Sequence, residues 1–239
     1  MSGVGGWLGR AHSSSTDPLI DAFGDKVAGA SRFQVKTWRA GHAGLAVSGP
    51  PQAMCLFNSG AHSMAIFGHP RWDAGSRVET EQESVCRLFL DDYLAHGAGA
   101  LERLHGDFAL ALIDTSACEG LLAVDRLGIR SLVYQADERG LLFGSTCDIV
   151  LRHATADREV DRQAIYDYVY FHVVPGPKTV FRRQRRLVPG HVMTWSRGQS
   201  SVRPYWTMTF REEVGSVSDF KPDFRRALRE AVHNAAQGA

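Results

Sequence analysis

The residues that could carry chemistry begin with a glycine-rich run near the start of the chain, GVGGWLG (3–9). Such runs hold phosphate groups in dinucleotide sites when a strand precedes them and a helix follows. Only Met1 and Ser2 stand before this run, so the required strand is missing. The sequence also contains no P-loop, no H-E-x-x-H and no G-x-S-x-G. We therefore expect neither a nucleotide loop nor the common zinc-protease and serine-hydrolase motifs.

Four cysteines, at positions 55, 86, 118 and 147, are the next candidates for chemistry. They are widely spaced and form no C-x-x-C pair, which argues against a zinc site. No apolar run reaches the ~20 residues that span a bilayer, and no signal peptide is recognisable. The sequence predicts a cytoplasmic protein with reduced thiols and no membrane partner.

The balance of charges argues against a nucleic-acid partner. Lysine and arginine number 27 against 26 acidic residues, giving a formal net charge of +1. A nucleic-acid-binding domain would be expected to carry a strongly basic face. The basic run FRRQRR (181–186) fits a solvated turn better than a track for phosphates.

The elements that must position any site are mostly short strands separated by turns. Alternating or apolar runs, about ten residues apart, predict antiparallel strands. These runs are FQVKTW, GLAVS, AMCLF, SMAIFG, DFALALID, GLLAVD, SLVYQA, GLLFGS, HVMTWS and SVRPYW. Several are apolar on both faces, which indicates sheets covered by a sheet on one side and by helices on the other. The predicted fold is α+β, a four-layer αββα sandwich of two mainly antiparallel sheets.

Helices are predicted from capping patterns. Thr80 and Glu83 fit a T-x-x-E capping box, and Asp161 is placed to cap a helix over DRQAIYDYVYFH. A short helix is expected at GALERL. A last helix is expected to begin at Pro222, with apolar residues at 224, 228 and 232 that require a partner surface. The polar stretch TFREEVGSVSDFKPD before it looks like a linker, so we divide the chain into 1–210 and 211–239.

A series of motifs in a fixed order resembles the N-terminal domain of asparagine synthetases. The motifs are LHGDFALALID, LLAVDRLGIRSLVY, LLFGSTCDIVL, VPGPKTVFRRQRRLVPGHVMTW and PYW. They follow the family's order of G-D-F-A, D-R-x-G-x-x-P-L-Y, F-x-S-E, P-x-T-x-F, P-G-H and Y-W over residues 100–206, with Ser131 in place of the family's proline, and the first 100 residues match weakly. The resemblance implies a class II glutamine amidotransferase domain with the sandwich fold of N-terminal-nucleophile (Ntn) hydrolases.

The resemblance also implies a partner. In the family, ammonia from glutamine passes to a second domain that uses ATP to activate a carboxylate. That domain carries an S-G-G-x-D-S loop, which this sequence lacks. We therefore expect no cofactor in this chain, with ATP and Mg²⁺ only in an absent ATP-pyrophosphatase-type synthetase domain that pairs with it in cis or in trans. Residues 211–239 would lead toward that domain. Assembly of this chain into a homo-oligomer is a further alternative.

The resemblance places Ser2 at the position of the nucleophile. Active members begin M-C-G-I-x-G and lose the methionine, whereas this chain has Met1, Ser2 and Gly3. The freed α-amine is the base for such a nucleophile. A serine hydroxyl is far less ionised than a thiol at neutral pH, so Ser2 is a weaker nucleophile. The structural alternative is that Ser2 is merely a small residue that fits in the position of the family's cysteine.

The groups that hold glutamine in the family are replaced at the aligned positions. The arginine for the carboxylate corresponds to Gly44, and the N-G-E triplet corresponds to Phe67, Gly68 and His69. The aspartate of the family's S-D falls near Ser84 and Val85 and is absent. Gly68 and His69 are therefore the candidate substrate-binding residues. Loss of one oxyanion donor alone costs about 10²–10³ in rate, so we expect glutaminase activity to be lost.

Structural explanations compete with functional ones at several positions. His69 could be a turn residue before Pro70, and Arg71 could be a surface residue rather than a carboxylate ligand. The loop DRLGIRS (125–131) and the turn at Gly190 are interpreted as architecture, with Gly128 and Gly190 supplying positive φ.

Three hypotheses follow from these residues. The leading one is a degenerate amidotransferase domain that serves as scaffold in an asparagine synthetase-like, ATP-dependent amide-forming ligase. The alternative is an N-terminal serine amidohydrolase acting on an amide other than glutamine. The third is an interaction module that uses the apolar stripe of the last helix.

Overall fold

The computed structural model describes residues 2–9, 34–75, 78–210 and 216–236. Met1 lies outside these residues, as do Phe33, at the start of the predicted strand FQVKTW, and residues 211–215 of the predicted linker. The chain divides into one unit over Met1–Trp206 and another over Thr207–Ala239.

The strands of the first unit are short, as their spacing in the sequence predicts. In chain order they are β1 (Gly3–Gly9), β2 (Gln34–Ala40), β3 (Ala43–Gly49), β4 (Met54–Ser59), β5 (His62–Asp73), β6 (Val78–Glu79), β7 (Leu104–Asp114), β8 (Glu119–Val124), β9 (Val133–Asp137), β10 (Gly140–Gly144), β11 (Arg185–Arg186), β12 (His191–Ser196) and β13 (Gln199–Pro204).

The α-helices are α1 (Gln82–His96), α2 (Cys147–Leu151), α3 (Arg162–Phe171) and, in the second unit, α4 (Val217–Ala236). The predicted short helix at GALERL is a 3₁₀ segment over Gly97–Arg103. Among the described residues, no helix combines the length and the apolar character that crossing a membrane would require.

Two antiparallel sheets form the first unit. The first has the strand order β11-β9-β10-β1-β3-β2, and the second has the order β13-β12-β8-β7-β5-β4, with β6 paired to β5. The glycine-rich β1 therefore lies inside the first sheet, where Trp7 pairs with Gly44 on β3 and with Leu142 on β10. The opening stretch is a sheet strand, not a nucleotide loop.

The layers follow from the faces that each sheet buries. Val4, Leu45 and Phe143 of the first sheet meet Ala109 and Leu122 of the second in the central core. The second sheet buries its other face against α1, and the first sheet packs its outer face on the short helix α2. This arrangement confirms the predicted α+β sandwich with helices outside two sheets.

The caps of the helices correct one prediction and confirm another. Asp161 accepts a hydrogen bond from the backbone N–H of Gln163 and caps α3 as predicted. Helix α1 is capped by Glu81 and not by Thr80, because the Glu81 carboxylate accepts from the backbone N–H groups of Glu83 and Ser84. The Glu81 carboxylate satisfies two unpaired backbone donors at the start of the helix, whereas threonine in the predicted T-x-x-E box would accept from only one, the N–H of Glu83.

The last helix begins five residues earlier than predicted. Helix α4 starts at Val217, so Pro222 lies inside it rather than at its first turn. The backbone N–H of Ser216 donates to the Asp219 carboxylate, which is half of a capping box. This S-x-x-D pattern, absent from our sequence interpretation, fixes the earlier start.

Candidate functional site

The candidate residues Gly68 and His69 lie within a strand. Our sequence interpretation of His69 as a turn residue is wrong, since β5 continues through Pro70 to Asp73. The partner strand makes this possible, because Pro70 stands opposite Gly106, which adopts a φ of 86°. Gly68 has a φ of 131°, and a Cβ there would collide with the backbone carbonyl of Asp107. Position 68 therefore requires glycine.

His69 is held by an acidic residue that in turn holds an arginine. On β7, Asp107 stands opposite His69, and its Oδ1 lies 3.3 Å from Nδ1 of the imidazole. The Oδ2 atom of Asp107 accepts a hydrogen bond of 2.6 Å from Nε of Arg130. All three side chains are partly exposed, with 39% of His69, 20% of Asp107 and 27% of Arg130 accessible.

The backbone of Arg130 is fixed by a buried carboxylate. Asp125 is 1% exposed and accepts hydrogen bonds from the backbone N–H groups of Leu127, Ile129 and Arg130. Gly128 has the predicted positive φ of 68°, and Gly190 has a φ of 67° and donates its N–H to the carbonyl of Asp125. The loop 125–131 is thus an ordered frame that carries Arg130.

The arginine determines the electrostatics of the group. Burial alone would raise the pKa of Asp107, but the hydrogen bond and charge of Arg130, together with those of His69, outweigh it. They hold the pKa of the Asp107 carboxyl below its ordinary value of 3.8. Asp107 is therefore ionised at neutral pH and can orient both partners.

The strand register places Ser2 at the same end of the sandwich as this group. The guanidinium of Arg130 lies 4.5 Å above the ring centre of Phe67, and that ring faces Gly49 on the opposite sheet. Gly3 pairs with Ser48, so continuing the register by one residue places Ser2 beside Gly49. Strand alternation puts Ser2 on the face of the buried Val4. We call this end, with Ser2, Phe67, His69, Asp107 and Arg130, the mouth.

Two positions aligned with glutamine-binding groups are closed to polar side chains. A Cβ on Gly44 would overlap the indole ring of Trp7, which fills the space above it. Val85, at the aligned position of the aspartate, is completely buried on α1 in the second core cluster. Neither position can present a charged group to the mouth in this packing.

Sequence reasoning missed Asp107 and Arg130 as members of the site. Both lie in motifs that we had interpreted as fold markers, LHGDFALALID and DRLGIRS. The available signal was a charged residue at the start of an otherwise apolar run, which a buried strand would not tolerate without a partner. Within the described ranges no three His, Cys, Asp or Glu side chains are close enough to hold a metal ion.

The fold and the mouth define a class. A model of the glutamine amidotransferase domain matches residues 73–206, so the chain belongs to this family. It is similar to asparagine synthetase [glutamine-hydrolyzing] 3 of Bacillus subtilis, with 26% identity over 153 residues, 64% of this chain and 25% of that protein.

Two further proteins that the chain resembles are not named as asparagine synthetases. Amidase chyE of Penicillium rubens is 25% identical over 154 residues, which are 62% of this chain and 22% of that protein. A solved structure of glutamine phosphoribosylpyrophosphate amidotransferase from B. subtilis matches with a TM-score of 0.47 and 12% identity, over 86% of this chain and 50% of that one. The chain spans about a quarter of the length of the curated relatives that it matches.

Proposed function

We propose that this chain is the amidotransferase-type domain of an asparagine synthetase-like, ATP-dependent amide-forming ligase. In this proposal it has no glutaminase activity and serves as a scaffold for the synthetase domain. ATP and Mg²⁺ would be bound by that partner, and the assembly would work in the cytoplasm with the cysteines of this chain reduced. The position of Gly44 carries the proposal, because it has no side chain and its Cα faces Trp7 in the outer helix layer, so that no group at the position aligned with the family's arginine reaches the mouth.

The loss of the arginine weakens binding of the substrate. A bidentate, charge-assisted contact to a carboxylate is worth about 1.5–3 kcal/mol, which corresponds to roughly tenfold to hundredfold in affinity. The aligned aspartate is replaced by the buried Val85, so the α-ammonium of glutamine loses a carboxylate as well.

The mouth also lacks groups for the reaction itself. Phe67 replaces the asparagine of the oxyanion hole and offers no hydrogen-bond donor, a loss of about 10²–10³ in rate. His69 replaces the glutamate and places an imidazole beside the ammonium of glutamine. These losses do not add strictly, but each lowers the rate of glutamine hydrolysis.

An exposed aromatic surface on α3 supports the scaffold role. Of this helix only Ala164 is buried. The α3 surface consists of large apolar side chains that are roughly half to two thirds exposed: Ile165, Tyr166, Tyr168, Val169, Tyr170 and Phe171. Contiguous exposed aromatic side chains are typical of protein interfaces rather than of solvated helices. We therefore assign the α3 surface to contact with the synthetase domain.

Ammonia release tests the loss of glutaminase activity. The full chain, Ser2→Ala and Ser2→Cys should release no more ammonia from L-glutamine than a blank, while an active class II amidotransferase serves as positive control. Failure of Ser2→Cys would locate the defect in the pocket rather than in the nucleophile. Release by the unmodified chain that Ser2→Ala abolishes would refute this part of the proposal.

Co-expression tests the scaffold role. The chain should co-purify with an ATP-pyrophosphatase-type synthetase domain, either fused to it or encoded beside it. Tyr170→Ser with Val169→Ser should weaken this complex at least tenfold without loss of folding. The matched control is Val202→Ser on the edge strand β13, which is 42% exposed and lies outside the α3 surface. Equal weakening by both variants, or no complex at all, would contradict the assignment.

A second candidate function is an N-terminal serine amidohydrolase acting on an amide other than glutamine. The half-buried position of Ser2 at the mouth and the similarity to a protein named as an amidase favour it. It requires removal of Met1, which intact-mass measurement detects directly. Hydrolysis of acyl p-nitroanilides that disappears in Ser2→Ala would support it, and a retained Met1 would exclude it.

A further inference from the structure

We propose that the mouth binds a small molecule that bears a carboxylate and has no ammonium group beside it, with Arg130 as the main ligand-binding residue. This inference goes beyond the scaffold role, because a domain can dock a partner without binding a small molecule. It rests on the proposed function in one respect, since both assume that the groups that bind the α-ammonium of glutamine are lost from the mouth.

Arg130 has a fixed guanidinium with an unused edge. Its Nε is engaged by Asp107, and the plane of the group is held over the ring of Phe67. Its two terminal nitrogens have no hydrogen-bond partner among the described residues, and the side chain is 27% exposed. A carboxylate can accept two parallel hydrogen bonds from such an edge, and the fixed plane reduces the entropy lost on binding.

The charges around Arg130 favour an anion over an ammonium. His69 stands where the resemblance implies a glutamate, so a negative charge that would repel a carboxylate has been removed. Both oxygens of Asp107 are engaged, one by Arg130 and one by His69, and the guanidinium of Arg130 offsets the charge of the carboxylate. Arg71 lies two residues beyond His69 on the same side of β5 and has no ion pair among the described residues. The aligned aspartate position is the buried Val85.

The charge distribution of the mouth is therefore reversed relative to that of a glutamine site. A glutamine site needs carboxylates for the α-ammonium, and the described mouth offers one carboxylate that is already engaged on both oxygens. The expected ligand is a carboxylate attached to an uncharged or apolar body, because the ring of Phe67 forms the wall next to the guanidinium.

The probe pair is glutaramate and L-glutamine, which differ only in the α-ammonium. The Nε–Hε resonance of Arg130 in ¹⁵N-labelled full chain reports binding, and glutaramide is the neutral control. Glutaramate should give a saturable shift, L-glutamine should bind about tenfold more weakly, and glutaramide should give no shift. An acidic peptide is titrated in parallel to separate a small-molecule site from contact with a protein side chain.

Variants connect the shift to the proposed contacts. Arg130→Lys keeps the charge but loses the planar edge and should weaken glutaramate binding about tenfold, monitored at neighbouring backbone amides. The matched control is Arg139→Lys, since Arg139 is also an exposed arginine paired with an aspartate, Asp137, and it should bind as the unmodified chain does. His69→Glu should reverse the preference, so that L-glutamine binds better than glutaramate.

Several outcomes would overturn the inference. They are no saturation with glutaramate at tens of millimolar, equal weakening by Arg139→Lys, binding of L-glutamine in preference to glutaramate, or saturation by the acidic peptide alone. If Arg130→Lys fails to fold, His69→Glu provides the decisive comparison. Ammonia release decides the proposed function separately: release from glutamine with intact glutaramate binding refutes that function alone, and absent binding without release refutes only this inference.

Discussion

The indole ring of Trp7 occupies the space directly above Gly44 on the neighbouring strand. The Trp7 side chain thus fills the volume that a side chain at position 44 would otherwise take. The two residues are partners in the register between β1 and β3, and a Cβ on Gly44 would overlap the indole. Trp7 continues outward to pack with Ile149 of α2 and lies 6.1 Å from the ring centre of His153. The ring thus joins β1, the strand that directly follows Ser2, to the outer helix layer.

This pairing predicts a strong coupling between the two positions. Gly44→Ala should destabilise the first unit by about 1–3 kcal/mol, because the added methyl group overpacks the site. Trp7→Ala should cost about 3 kcal/mol through the cavity that it leaves. In the Trp7→Ala background, Gly44→Ala should cost much less, since the clash is gone. Urea unfolding of the four proteins measures the coupling, and strictly additive costs would contradict the packing.

A second prediction concerns the backbone that carries His69. Gly68→Ala should destabilise by more than about 2 kcal/mol, because alanine at a φ of 131° is strained and its Cβ meets the carbonyl of Asp107. The matched control is Gly60→Ala, where φ is also positive, at 57°, but nothing lies within 4 Å of a Cβ. That control should cost about 1 kcal/mol. Equal unfolding free energies for the two variants would show that the close approach is unimportant.

The sheets could be predicted because their information is local. Alternation and apolar runs predicted the segments that became β3, β5, β7 and β8, and the layers followed from which runs were apolar on both faces. The family motifs also placed the positive φ of Gly128 and Gly190 correctly. These features depend on the residue type at one position or on a period of two, which a single sequence displays directly.

The mouth could be predicted only in part, because it depends on strand register, on contacts between distant residues and on which of two neighbouring side chains makes a given contact. Pro70 suggested a turn, and only pairing with Gly106 allows the strand to continue past it. The contact between Asp107 and Arg130 joins residues 23 apart through a loop ordered by the buried Asp125. The choice between Thr80 and Glu81 as cap depends on which side chain reaches the helix, and the two are adjacent in sequence.

The corrected cap gives a third prediction. Glu81→Ala should destabilise by about 1 kcal/mol, because the backbone N–H groups of Glu83 and Ser84 lose their acceptor. Thr80→Ala should change the free energy of unfolding by less than about 0.5 kcal/mol, as for a surface position away from such contacts. Glu81→Gln should recover part of the loss. Thermal unfolding of the three variants provides the comparison, and a larger effect of Thr80→Ala would restore the T-x-x-E cap.

The fourth prediction concerns the pH dependence conferred by Asp107. Its pKa is lowered in the folded protein, so around and below the ordinary value of 3.8 the folded state binds fewer protons than the unfolded state. The contribution of Asp107 to stability is therefore complete above about pH 5 and is lost as the pH falls through the lower folded-state value. The stability of Asp107→Asn should lack this component.

The expected result is a pair of stability curves that converge in acid. Near neutral pH, Asp107→Asn should be less stable by about 1 kcal/mol, a modest amount because the three side chains are partly exposed and their charges are screened. Between about pH 5 and pH 3 the difference should shrink, because protonation removes the same ionised partner from the unmodified protein. Arg130→Lys retains a cation near the carboxylate and should keep part of the pH dependence. Urea unfolding at several pH values measures the curves. A difference in unfolding free energy that stays constant across this range would show that the contacts of Asp107 with Arg130 and His69 do not stabilise its ionised form.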